Sequence, residues 1–427
     1  MEDIYHLNQD TIFDIMINYH NDSNFVFELS ITSKYISPQI KQLKYYKLNL
    51  TKLSVLKHLP SLESIQLYDD NYFYSRPPIY SLLDIVPRIN FSVLNHLSRL
   101  KHIIVKGCLI RNINQLTSIE SLKSRWKYLY VDDSDETESV SNLINLTYLH
   151  LYRNLNVSTL KCNTKLRYLK TGVVLQQLNL TSHTLLEHLN IKLYSVRDNI
   201  FTYDSCPLTY LKFHAAFRYQ SNISYIITLQ ETKLKILKFI NFSFDNIDFN
   251  RFKYLKTLEI INENSNKSIC LIYLSHLNKL FLKNFTNVTI SNLTNLHVLK
   301  ISKINNFTLF DNNITKLTIY DVSNLNYFNF VHVKILKIQD NFLWIANMIK
   351  NVEECKIVEN FQSIDNSNIK FDNMSNLTKL IIQSNSYGSL NLIHLIKLRY
   401  LIVYASQKNI RVNKIAKIVK IQDHASY

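Results

Sequence analysis

Glycine is almost missing from this chain: Gly107, Gly172 and Gly388 are the only three in 427 residues, and no two are close together. A phosphate-cradling loop or a dinucleotide fingerprint needs several glycines side by side, so that backbone amides can approach the anion. Both motifs are therefore excluded, which argues against a nucleotide-dependent enzyme, and no cofactor is expected. Cysteine is sparse as well. The five thiols, Cys108, Cys162, Cys206, Cys270 and Cys355, are scattered, odd in number and free of any C-x-x-C pair, which argues against a zinc site or a disulfide framework and suggests buried thiols.

Long apolar runs are absent too, with no eighteen-residue stretch that could cross a bilayer. The first twenty residues hold Glu2, Asp3, Asp10 and Asp14 and lack a basic start, so they do not read as a secretory signal, and a soluble, intracellular, cytoplasmic protein is expected. There is no His-x-x-x-His, His-Glu-x-x-His or Gly-x-Ser-x-Gly, and the expectation is a non-enzymatic protein. Asn, Ile, Lys and Tyr are abundant instead, a bias that suits an AT-rich genome and makes Asn-x-Ser/Thr triplets such as Asn145-Leu-Thr147 and Asn292-Leu-Thr294 frequent by accident.

What the chain does have is a recurring phrase, Leu-x-x-Leu-x-x-Leu-x-Leu. It is plainest at Leu143/Leu146/Leu149/Leu151, at Leu274/Leu277/Leu280/Leu282 and at Leu293/Leu296/Leu299/Ile301. Other copies end at Leu67, Val105, Val131, Thr171, Ile191, Phe213, Phe239, Ile260, Ile319, Ile338, Ile357, Ile382 and Val403, with a mean step of roughly 22 residues. The last two apolar residues of each copy are two apart and share one side of an extended strand, while the residue between them faces the other way. A unit this small cannot cover its own apolar face, so each depends on its neighbours.

The phrase resembles the leucine-rich repeat. The resemblance implies an α/β solenoid, a curved array with a parallel β-sheet on its concave face. Residues 41–404 would form the repeats, about 16–17 units by count of the phrase, with residues 405–427 as a C-terminal cap. In that cap, Ile415, Ile418 and Val419 share one face and Lys414, Lys417 and Lys420 another.

Residues 1–40 differ in character. They carry six acids against one base, a balance of −5, so that with +16 overall the remainder carries +21. Ile12, Phe13, Ile15, Met16 and Tyr19 fall at helical spacing after Asp10-Thr11, which predicts a short helical N-terminal segment. The order Leu7-Asn8-Gln9-Asp10-Thr11-Ile12-Phe13-Asp14-Ile15-Met16, followed by Phe27-Glu28-Leu29-Ser30-Ile31-Thr32-Ser33-Lys34-Tyr35, resembles the F-box. Asn8 replaces the usual Pro and no Trp follows Lys34. The resemblance implies that Leu7, Ile12, Phe13, Ile15 and Met16 meet a Skp-family adaptor of a cullin-RING ubiquitin ligase, while the repeats hold the target. The other reading of the segment is a cap over the first core layer.

The open strand face is the candidate binding surface. Its between-leucine positions include Lys170, Lys212, Lys238, Lys300, Lys337 and Lys356, with Glu259 as the one acid, and Tyr128, Tyr148, Tyr168, Tyr210 and Tyr400 precede the first strand leucine. Such a surface suits an acidic protein, or nucleic acid if bases stacked on the rings. Three residues after the strand, Asn or Cys recurs only at Cys108, Asn154, Asn341, Asn360 and Asn385. Phe242, Glu263, Phe285, Ile304 and Val322 stand there elsewhere, which predicts a looser convex side. The Asp132–Glu138 run, with five acids, reads as a solvated loop.

Overall fold

The computed structural model describes residues 45–49, 62–68, 88–90, 97–106, 109–111, 115–125, 140–154, 157–173, 178–193, 201–202, 206–215, 233–241, 249, 252–262, 267–310, 313–326, 331–339, 349–358, 371, 373–383, 390–404, 410–412 and 417–421. Leu7, Ile12, Phe13, Ile15, Met16 and Tyr128 lie outside these. The chain divides into two compact units, Met1–Gln230 with Phe244–Asn246 and Glu231–Ser243 with Ile247–Tyr427. Each is a parallel β-solenoid.

In the first unit the strands Tyr45–Asn49, Ser64–Tyr68, His102–Lys106, Ser121–Arg125, Tyr148–Asn154, Tyr168–Val173, His188–Leu193 and Tyr210–Ala215 pair in that order, all parallel. The leucine phrase explains both the register and the approach to it. Leucines three apart sit in successive tight turns, with Leu143 N donating to Val140 O at 3.0 Å and Leu146 N to Leu143 O at 3.0 Å. Three residues per turn eclipses their side chains, so all point inward. On the strands Ile65, Ile103, Leu122, Leu149, Leu169, Leu189 and Leu211 stack as one buried column, each such side chain contributing about 1.5–3 kcal/mol of burial.

One rung differs from the sequence reading. The apolar doublet Leu129/Val131 suggested a strand there, with Tyr128 before it. Leu129 and Val131 lie outside the described residues; the rung that pairs with Tyr148–Asn154 is Ser121–Arg125, Ser121 opposite Tyr148 and Leu122 opposite Leu149. Leu116, Ile119 and Leu122 supply the phrase, all buried, and Ser124 takes the final apolar position beside Val105. Three correctly spaced apolar residues on the approach outweigh one missing at the end.

The second unit repeats the scheme with Ile236–Ile240, Thr257–Ile261, Lys279–Ser291, Val298–Leu309, Lys316–Asn326, Ile335–Gln339, Glu354–Val358, Lys379–Gln383 and Tyr400–Tyr404. Residues 405–427 contribute Ile410–Val412 and Lys417–Ile421, the latter pairing with Tyr400–Tyr404 as a further parallel rung. Cys355 fills a leucine site between Leu336 and Leu380, and burial pushes its thiol up to about 12. Cys206 is buried as expected, but Cys162 and Cys270 are exposed.

The return side is where the α/β expectation fails. Among the described residues there is no α-helix; the 3₁₀ segment Val157–Cys162, 3₁₀ residues at Gln115 and Phe249, and further strands are found instead. Geometry gives a reason. The steps from Leu282 to Ile301 and on to Ile319 leave few residues to recross the unit, and an extended chain covers about 3.3 Å per residue against 1.5 Å in a helix. In Lys279–Ser291, Val298–Leu309 and Lys316–Asn326 the strand therefore turns a corner and runs on as a second parallel sheet.

The corners fall at Asn284, Lys303 and Asp321, with φ of 61°, 54° and 50°. Left-handed backbone is where glycine would be expected, and this glycine-poor chain uses Asn, Asp and Lys there. Corner amides also bond one another's backbone: Asn284 Nδ2 donates to Asn262 O at 2.6 Å and Asn262 Nδ2 to Asn284 O at 3.3 Å. Past the corner Phe285, Ile304 and Val322 are buried in register, so the apolar residues read as a sign of looseness form a second core column. Outside it runs a ladder of amides, Asn324 Nδ2 to Asn306 Oδ1 at 2.8 Å, Asn306 Nδ2 to Asn287 Oδ1 at 2.8 Å and Asn287 Nδ2 to Ser268 Oγ at 2.9 Å.

The Asn-x-Thr triplets likewise have structural roles. Asn145 Nδ2 donates to Thr117 O at 3.2 Å and Thr147 Oγ1 to Glu120 O at 3.0 Å, while Asn292 holds a corner at φ 57°.

Tyr273 occupies a left-handed position, φ 65°, with 71% of its surface exposed. Its backbone costs about 1–2 kcal/mol there, so Tyr273→Gly is expected to stabilise the protein by up to about 1 kcal/mol and Tyr273→Val to destabilise it, both read from urea midpoints.

Candidate partner-binding surface

In-register stacking turns each outward strand position into a column running across the rungs. In the first unit the position before the strand leucine gives Tyr148, Tyr168, His188 and Tyr210. Their rings form one continuous stack: centroids lie 4.3 Å apart for Tyr148 and Tyr168, 4.2 Å for Tyr168 and His188, and 3.8 Å for His188 and Tyr210. Interplanar angles of 12°, 17° and 8° make the rings nearly parallel. Each such pair contributes about 0.5–1.5 kcal/mol beyond burial. The neighbouring column is His150, Lys170, Asn190 and Lys212, and the next includes Lys192 beside His214.

Three expected tyrosines, Tyr148, Tyr168 and Tyr210, thus come together with Lys170 and Lys212. Ser121, not Tyr128, precedes them in register. His188 is not legible as part of this column from the recurrence of tyrosine alone, because a histidine ring stands at the tyrosine position and continues the stack.

Two histidines of this face, His188 and His214, are held neutral. Burial, then Lys170, lowers His188 to about 4; burial, then Lys192 and Lys212, lowers His214 to about 4. The lysines are accordingly the cations of the surface at neutral pH.

The stack also limits what the surface can bind. A nucleobase entering between two rings would need them to separate to about twice their spacing, and strand hydrogen bonds fix the rungs about 4.8 Å apart. The ring faces are already used on each other, leaving edges and hydroxyls for a ligand.

In the second unit the corresponding column is Lys238, Glu259, Phe281, Lys300, Thr318, Lys337, Lys356, Ile381 and Ile402. Lys238 is neutralised by Glu259 at 2.6 Å. Lys300 and Lys337 stand apart from it, with Lys356 directly beside Lys337.

A buried polar column lies behind the first unit's face, which the sequence reading missed. Asn163 and His183 replace the first leucine of the phrase, at the site of Leu143. Asn163 Nδ2 donates to Leu143 O at 2.8 Å and Val140 O at 3.1 Å, and His183 Nε2 lies 3.1 Å from Leu160 O. On the next rung Cys206 Sγ donates to Leu180 O at 3.2 Å. Burial lowers the His183 pKa. These groups tie each turn to the one before it. Among the described residues no three His, Cys, Asp or Glu side chains gather as a metal site, and no helix is long and apolar enough to cross a membrane.

Because His188 and His214 titrate lower folded than unfolded, the unfolded chain binds protons first as pH falls below about 6.5. Stability present above that pH is expected to fall as pH drops towards about 4. Thermal unfolding across this range checks it, and His188→Phe, which preserves the stack, should flatten part of the loss.

No protein family's sequence profile matches the chain, and no curated protein matches it. Among solved structures it is similar to the functional domain of InlJ from Listeria monocytogenes, which includes a cysteine ladder, at 14% identity over 83% of this chain and 76% of that one, TM-score 0.41. It is also similar to the internalin InlF of the same organism, at 16% identity over 77% and 88%, TM-score 0.31. A third is TLR13 in its complex with ssRNA13, at 14% identity over 88% and 65%, TM-score 0.39.

Proposed function

We propose that this chain is a non-enzymatic binding protein whose strand faces hold a protein target. The observation that carries this reading is the stacked Tyr148, Tyr168, His188 and Tyr210 column beside Lys170 and Lys212. It is a flat, preorganised surface of aromatic edges, hydroxyls and cations, which loses little side-chain entropy on binding. The used-up ring faces weigh against nucleic acid, which would show affinity falling steeply with salt. Affinity capture with the intact chain tests the reading: Lys170→Glu/Lys212→Glu should lose the proteins that the unaltered chain retains, and equal recovery would count against it.

The finer form of the proposal concerns residues 1–40. The order of Leu7, Ile12, Phe13, Ile15 and Met16, with the later Leu29-Ser30 and Ser33-Lys34, supports an F-box-like segment that docks a Skp-family adaptor in the cytoplasm. The chain would then be a substrate receptor of a cullin-RING ubiquitin ligase. The competing form is a leucine-rich repeat scaffold with no ubiquitin link, in which residues 1–40 only cover the first core layer. Pull-down with a purified adaptor separates them. Capture by the unaltered chain and its loss in Ile12→Asp/Phe13→Asp is the expected result; no capture by either, with lower thermal stability on deleting residues 1–40, establishes the scaffold.

A further inference from the structure

On the strand face of the second unit there is a cluster of like charges that folding does not explain. Lys337 lies directly beside Lys356, with Thr318 on its other side and Lys300 one rung further. Lys316 sits one outward position away, on the Thr318 strand. With rungs about 4.8 Å apart, like charges placed opposite one another destabilise a sheet. Among the described residues none of these four lysine side chains forms an ion pair or a hydrogen bond. Glu354, the nearby acid, is held by Lys379 at 3.6 Å.

Burial and the charges of Lys316, Lys356 and Lys300 push the Lys337 amine down from its ordinary value, and Glu354 only partly opposes them. The same geometry that costs the folded chain stability would favour an arriving anion. Contrast Lys238, whose neighbour Glu259 already neutralises it. Among the described residues no acid pairs with Lys337 in that way.

The residues around the cluster say what kind of anion. Half-buried Ile335 and Val358 occupy outward positions on the same rungs, and half-buried Ile381 stands beside Lys356 on the next. No stacked ring column runs there among the described residues, so a nucleic acid would find cations but no platform for its bases. Aliphatic side chains between cations fit a chain in which acidic and aliphatic residues alternate.

We propose that this face of the second unit binds an acidic, aliphatic segment of a protein partner laid across the rungs, its carboxylates at Lys300, Lys316, Lys337 and Lys356 and its apolar side chains on Ile335 and Ile381. The proposal rests on the reading of the chain as a protein-binding solenoid, and adds the chemistry and position of one contact.

Fluorescence anisotropy with the full chain tests it. The probe is a labelled peptide of repeated Glu-Val-Asp-Leu; the comparisons are the same peptide with Gln and Asn for the acids, and a labelled oligo-dT. The acidic peptide should bind, more weakly as salt rises, and Lys337→Gln/Lys356→Gln should weaken it roughly tenfold or more. Lys337→Arg/Lys356→Arg should retain binding. The Gln variant should unfold at the same or a higher temperature, since repulsion is relieved, which removes misfolding as an explanation.

Unchanged affinity in the Gln variant overturns the proposal, as does equal binding of the uncharged peptide. Tighter binding of oligo-dT, lost in the same variant, would replace it with a nucleic-acid surface. Lys170→Glu/Lys212→Glu should leave peptide affinity unchanged, so failure of the first unit's surface or of adaptor capture is distinguished from failure here.

Discussion

In-register parallel pairing is the constraint from which the rest follows. Every residue stacks on the residue at the same position one repeat away, about 4.8 Å distant, so a side chain must suit a neighbour of its own kind. Leucine meets this demand without difficulty. A polar group meets it only if it is donor and acceptor at once. The amides of Asn287 and Asn306 do so, each accepting from the rung after it and donating to the rung before it. Where the first leucine of the phrase is lost, Asn163, His183 and Cys206 each bond a carbonyl of the preceding turn and remain buried without that apolar contact.

The same rule made much of the fold legible and hid the remainder. Leucines spaced by three and then by two specify the approach and the strand, and nearly every rung falls where the phrase places it. The Ser121–Arg125 rung was misplaced because Ser124 ends it, and an apolar doublet a few residues on looked better. The return side was harder to read. Phe285, Ile304 and Val322 depart from the expectation of an Asn, and the corner amides stand one residue earlier, at left-handed Asn241 and Asn284. That shift reflects a different local geometry, a left-handed corner leading into a strand where a helix was expected.

Glycine's absence and these corners are linked. A solenoid that turns sharply in every repeat needs residues that tolerate positive φ, and Asn is the non-glycine residue best suited to it. Asn also supplies an amide to bond across the turn, which glycine could not. The abundance of Asn, attributable at first to genome composition, is thus structurally used at Asn241, Asn284 and Asn292, and along the amide ladder. A compositional bias and a structural requirement point the same way, and composition alone could not separate them.

The candidate surfaces show how the stacking rule treats groups that cannot satisfy one another. Aromatic rings gain by meeting their own kind, so the Tyr148 to Tyr210 column strengthens the sheet that displays it. Lysines lose by it. Their column was legible in the sequence as six lysines at one repeat position, but its two parts differ in a way only register reveals. Glu259 stacks against Lys238 and closes that end, whereas Lys337 meets Lys356. Lys316 went unnoticed because it belongs to the adjacent outward position, and it approaches Lys337 only across rungs. A sheet that places cation beside cation, although the same repeat position accommodates Thr318 one rung earlier, carries a cost that its own folding does not require. That cost, more than the number of lysines in the chain, distinguishes this patch from a merely solvated face.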